Sequence, residues 1–288
     1  MLLRPLALLA LLPLAAQAVQ SPVAESSAPD PVQASSSTDT AAPADPESTL
    51  KLQFLVGAVW RFGPTAPGAE ANSGSLKPLV ALRWGRWRIS SSSAGGMLGF
   101  GRGEAGPGAS TELFRRDNVR LGLGLRMDSG RKSADSANTA GLSDVRSTAR
   151  LRLYGSWALS PQWNWTSAVS TDILGRRGGM QFSTDISRLL LRTATQEVSL
   201  GAGLSAGNAT YMNSYFGVPE GHARWATYQP GAGLRQANAG VGWLVLLRPD
   251  VVLTTGAGVT RLLGPAANSP MVERPSSWSV SMGLGYRY

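Results

Sequence analysis

The sequence has no cysteine, a single histidine (His222), and only three lysines, Lys51, Lys77 and Lys132. Without cysteine there are no disulfides, no thiolate metal sites and no lipidated N-terminal Cys. One histidine leaves little for a transition-metal centre. A Ser-His-acid site would need a nucleophile or carboxylates built around it. His222 stands beside Glu220 and Arg224 in a predicted 207–230 loop, with no catalytic motif around it. No cofactor and no enzymatic activity are therefore expected. Long apolar runs are missing too. No stretch reaches the roughly 18 residues a spanning helix needs, so a chain like this can enter a membrane only as a β-barrel.

The apolar stretch from Leu6 to Ala16 follows Arg4 and precedes Ala16-Gln17-Ala18, a small-x-small cleavage site. Residues 1–18 thus read as a signal peptide. Acidic residues are scarce except in one place. Residues 19–49 hold Glu25, Asp30, Asp39, Asp45 and Glu47, no Lys or Arg, and mostly Ala, Ser, Pro and Thr. Such a segment buries too little to order itself and is expected to be a disordered tether. Setting aside Arg4 and those five acids, the formal net charge of +9 becomes +13 for residues 50–288. Basic charge can mark nucleic-acid binding, but an exported chain has little access to nucleic acid, and none is expected as a partner. Arginine lining a lumen or facing lipopolysaccharide phosphate fits better.

From Leu50 onward the pattern has period two. Val119, Leu121, Leu123, Leu125 and Met127 alternate with Arg120, Gly122, Gly124 and Arg126. Ala237, Ala239, Val241, Trp243, Val245 and Leu247 alternate with small and polar residues, as do Leu52, Phe54, Val56, Ala58 and Trp60. A soluble barrel also alternates, but its outer face carries Lys and Glu. Here the second face is glycine, serine and arginine, which suits a crowded polar lumen, and Trp84, Trp87, Trp157, Trp163 and Trp278 fall near strand ends. Residues 50–288 are predicted to form an all-β fold, a transmembrane antiparallel up-and-down β-barrel in the bacterial outer membrane.

Eleven strand runs are legible: 50–62, 77–84, 86–92, 114–127, 146–158, 162–174, 179–191, 196–206, 231–247, 250–262 and 278–288. Single-chain barrels have an even number. A twelfth strand is expected around Met97 to Arg102, giving twelve, with ten as the alternative. Counting back from Tyr288 puts the long connections outside and the tight links in the periplasm. The final run sets Trp278, Val280, Met282, Leu284, Tyr286 and Tyr288 on one face. Tyr286 and Tyr288 resemble the C-terminal signal read by the barrel-assembly machinery.

The later two-thirds of the chain resembles the MipA/OmpV family. Gly130-Arg131 followed by Gly141-Leu142-Ser143-Asp144-Val145 is similar to its "GR … GLGD(I/V)" segment. Tyr211 to Val218, with Tyr215, Phe216 and Gly217, is similar to its "Y-x-x-x-YFGV" motif. Arg261-Leu262-Leu263-Gly264 through Ser269-Pro270-Met271-Val272 is similar to its "RLLGDAADSP(I/L)V" loop, with Pro265 and Asn268 in place of acids. The resemblance implies a scaffold that brings a murein hydrolase and a murein synthase together in the periplasm, or a porin-like protein. Outer-membrane lipid and lipopolysaccharide are the other expected partners. The lumen candidates are Arg120, Arg126, Arg150, Arg152, Asp172, Asp185 and Glu197. If open, an arginine-lined lumen favours anionic solutes. If these arginines pair with Asp172, Asp185 and Glu197, the interior is plugged.

Overall fold

The computed structural model describes residues 53–91 and 107–288. The predicted signal peptide, the tether and the Met97–Arg102 stretch lie outside the described residues. Twelve strands follow in chain order: β1 (Gln53–Pro64), β2 (Asn72–Trp84), β3 (Trp87–Ser90), β4 (Gly108–Arg116), β5 (Val119–Asp128) and β6 (Thr148–Ala158). Then come β7 (Trp163–Asp172), β8 (Met180–Arg192), β9 (Gln196–Gly207), β10 (Gly233–Arg248), β11 (Val251–Leu262) and β12 (Ser276–Arg287). Each pairs antiparallel with the next, and β12 pairs with β1 to close the barrel. The closing register sets Val56 opposite Tyr286 and Phe62 opposite Val280. Closure removes the sheet edges, so every strand finds hydrogen-bond partners without water.

Twelve is the predicted number, but the strand absent from the sequence count is β4. The predicted single run 114–127 is two strands joined by a two-residue hairpin, with Arg116 opposite Val119. Asp117 takes the left-handed conformation that such a turn requires (φ 48°). An Asp-Asn pair between apolar runs was the available signal. The predicted loop 207–230 contains a helix, α1 (Ala209–Phe216), and 263–277 a short turn of helix, α2 (Gly264–Ala267).

The connections alternate in length. Those after β2, β4, β6, β8 and β10 are tight; those after β1, β3, β5, β7, β9 and β11 are longer. The barrel therefore has a short-turn end and a long-loop end. Outside the barrel wall, Leu121, Leu125, Leu151, Leu153, Val169, Phe182, Leu200, Leu204, Val241, Val259 and Leu284 are all exposed. Uncovered apolar surface on this scale does not persist in water, and the band is the lipid-facing belt of a membrane-spanning barrel. Trp84, Trp87, Trp157, Trp163 and Trp165 ring it near the short turns, where the Trp157 and Trp165 rings lie 6.3 Å apart. At the other rim Phe62 and Trp278 lie 5.5 Å apart.

The interior face is not uniformly glycine, serine and arginine as the alternation suggests. Leu55, Leu79, Ala81 and Val252 point inward and pack into a fully buried cluster with Val59, Leu244 and Leu246. Room for it comes from Gly57 and Gly285, which face each other across the β1–β12 seam.

Candidate functional site

At the long-loop end the described loops pack against one another as a cap. α1 is started by Asn208, whose side chain accepts from the Tyr211 amide at 3.0 Å, the expected N-cap arrangement. It presents Tyr211, Met212 and Phe216 to Leu262 and Ala266 in one buried cluster. A second cluster joins Leu142, Val218 and Met271 from three different loops. These are the three family-like motifs, distant in sequence and packed against one another.

Polar groups lock the same cap. Arg131 donates to the Tyr215 carbonyl at 2.8 Å, to the Ser143 carbonyl at 3.1 Å and toward the Met271 sulfur at 3.7 Å. Gly130, at φ 71°, lets this loop turn where a Cβ would lie 2.0 Å from the Val145 carbonyl oxygen. The Ser269 hydroxyl donates to the Phe216 carbonyl at 2.6 Å. Fully buried Asn138 donates to the Met271 carbonyl at 3.2 Å. The Tyr215 hydroxyl donates to Asp128 Oδ1 at 2.9 Å. Burial, and then the Asp128 charge, push the Tyr215 phenol far above its ordinary pKa. Burial also lowers the Arg131 pKa. Asp144 accepts the Ser133 amide at 2.7 Å, and that bond lowers its carboxyl pKa.

His222 belongs to this cap. Its Nδ1 accepts from the Arg224 and Trp225 amides at 3.3 and 3.2 Å. The ring thus closes a turn. Among the described residues no group of three or more His, Cys, Asp or Glu could hold a metal ion.

The seven lumen candidates stand on the inward-facing side of their strands, but they divide among three levels. Arg150 sits under the cap and is almost wholly buried. It donates to the Gly178 carbonyl at 2.8 Å and the Gly179 carbonyl at 3.1 Å, and lies 3.4 Å from Asp128. Asp172 does not pair with an arginine as anticipated. It accepts from the Gly178 and Leu174 amides at 2.8 and 2.9 Å, and from the Thr148 hydroxyl. A carboxylate at the start of a loop is better satisfied by that loop's own amides. Arg152, which stacks over the Tyr154 ring at 5.4 Å, lies with Asp185 in mid-lumen, and Arg126 faces Arg150 across β5–β6.

The lumen holds a cavity of about 1570 Å3 that runs from the short turns up to Arg61, Asn238, Thr260 and Ser279, near the other ends of their strands. Turn residues Ser160, Pro161, Thr193, Thr195 and Pro249 line it, and no residue of α1 or α2 does. Seven arginines (Arg61, Arg83, Arg88, Arg120, Arg188, Arg192 and Arg287) line it against two acids, Glu112 and Glu197. Glu197 pairs with Arg192 at 2.9 Å. Sequence reading missed Arg61, Arg83, Arg88, Glu112 and Asp128. The first four stand on strands whose neighbours in space are fixed only by register.

Tyr286 and Tyr288 lie outside at the short-turn rim. Tyr288 exchanges backbone hydrogen bonds with Phe54 at 2.9 and 3.1 Å and stacks on its ring at 5.3 Å.

A family model described as "MltA-interacting protein MipA" matches residues 56–288, which takes in all twelve strands apart from the start of β1. The chain belongs to the MipA family. The motifs carrying that resemblance are thus the residues that build the cap. Comparison with curated proteins gives no match. Among solved structures, the NanC porin is 10% identical, with TM-score 0.40, covering 80% of this chain and 98% of its own. A bacterial polysaccharide outer membrane secretin is 10% identical, with TM-score 0.41, covering 83% and 99%. An anion-selective porin from Comamonas acidovorans is 9% identical, with TM-score 0.38, covering 83% and 99%.

Proposed function

We propose that this MipA-family barrel is a non-enzymatic scaffold of the outer membrane. Its short-turn end faces the periplasm and holds murein-remodelling enzymes there. One observation carries the reading: the family motifs are consumed in a packed cap at the long-loop end, which leaves the opposite end as the accessible one. Short turns and both ends of the barrel chain belong on the periplasmic side of such barrels. The family description, an MltA-interacting protein, supports a lytic murein enzyme as partner. On the outer side, exposed Lys132, Arg146, Arg176 and Arg177 suit lipopolysaccharide phosphates.

Immobilised barrel should retain an MltA-type lytic transglycosylase from solution, and substitutions on the short turns should weaken that retention. Retention that is absent, or that depends only on the long loops, rejects the reading. Removing residues 19–49 tells whether the tether contributes.

The arginine excess in the cavity favours a second reading, a channel preferring anions. The packed cap argues against it. Conductance steps in planar bilayers would revive it, and a silent bilayer would remove it.

A further inference from the structure

The cavity at the short-turn end is unusual in how its charges are arranged. Arg83 on β2 lies directly opposite Arg88 on β3, and Arg115 on β4 lies directly opposite Arg120 on β5. Two like-charged cross-strand pairs thus stand on four successive strands, an arrangement that costs stability. Glu112 accepts from Arg88 at 3.2 Å and from Arg115 at 2.8 Å, and is held between them. Arg61 and Arg120 have no ion pair among the described residues, yet both line the cavity. Setting Arg83 and Arg88 aside, since they have further partners, five lining arginines still face two glutamates. Across the cavity the wall carries hydroxyls and amides: Ser156, Asn164, Thr166, Ser187, Ser199 and Asn238.

We propose that this cavity is a dead-end binding site for a carboxylate-bearing oligosaccharide that enters from the short-turn side. Planar guanidinium groups match carboxylates in geometry as well as in charge. The hydroxyl and amide wall matches a polyhydroxylated chain. The volume exceeds the several hundred Å3 of a typical small-ligand site, so more than one sugar ring fits. The packed cap stands over the far end, and the proposed site holds its ligand without conducting it. The inference is independent of the scaffold reading, because it concerns the lumen and not a protein partner.

The test is calorimetric titration of the full-length protein in detergent with trigalacturonate, with uncharged maltotriose as comparison. Saturable trigalacturonate binding is expected, with maltotriose weaker by about tenfold or more, the equivalent of one charge-assisted hydrogen bond. The double variant Arg61→Gln, Arg120→Gln should lose about tenfold in affinity while remaining a folded barrel by its heat-modifiable gel migration. Should that variant fail to fold, the wild type still decides. Its affinity is expected to fall about tenfold between roughly 0.05 and 0.5 M NaCl as the guanidinium field is screened. No saturable binding, equal binding of maltotriose, or affinity indifferent to both salt and the substitutions would overturn the proposal. Scaffold retention assays stand or fall separately.

Discussion

Arg131 is the residue on which the cap turns. Its fork ties the 129–147 loop to α1 and to the loop after β11, three segments that also share the apolar clusters of the cap. Arg131→Ala is expected to cost the cap about 2 kcal/mol, the scale of removing a charged hydrogen-bond donor from a partly buried site. Limited proteolysis should then nick the 208–232 loop while the barrel stays intact. Lysine at the same position keeps the charge but not the fork, and should rescue only in part. Tyr215 gives a pH expectation. Its phenol pKa is raised in the folded protein, so the folded state keeps a proton that the unfolded chain releases near pH 10. Its contribution is complete below about pH 10 and is lost as pH climbs beyond that value. Tyrosinate absorbance should show equal numbers of tyrosines ionising up to roughly pH 12 in the wild type and in Tyr215→Phe. One tyrosine more in the wild type would show that Tyr215 titrates freely.

Among the elements, the seam between β1 and β12 and the β4–β5 hairpin are the sensitive ones. At Gly57 a Cβ would stand 2.0 Å from the Leu284 carbonyl oxygen. Gly57→Val should therefore open the closing seam at a cost of about 1–3 kcal/mol, typical of overpacking, visible as loss of heat-modifiable migration. In the hairpin, Asp117 bears a left-handed backbone cost that glycine does not. Asp117→Gly is expected to be neutral or stabilising by roughly 0.5 kcal/mol, because the relief exceeds glycine's entropic cost only slightly. Urea unfolding in lipid vesicles would measure it. The hairpin also shows why the strand count was hard to place. A turn of two residues leaves the apolar alternation almost unbroken, so 114–127 reads as one strand. Only the β4–β5 pairing reveals two.

For the molecule as a whole, the decisive property is that its apolar surface is on the outside. Leu153, 55% exposed on the belt, is expected to cost about 2–4 kcal/mol when changed to Arg in a bilayer. A soluble barrel would tolerate the same change outside with little loss, so vesicle unfolding separates the cases. Period-two alternation with glycine, serine and arginine on the alternate face, the tight turns and the tryptophans at strand ends were enough to predict a membrane barrel; they showed eleven strands, and only the even-number rule raised the count to twelve, without locating β4. Those signals are local: each strand carries its own inside and outside in consecutive residues. The sequence motifs also marked the loops as belonging to one family. What lay beyond its reach was which groups meet. Asp172 turned to its own loop's amides, the three motifs became one cap, and Arg88, Arg115 and Arg120 came together around Glu112. Register and barrel closure bring together residues tens of positions apart, and neither is written in any single segment.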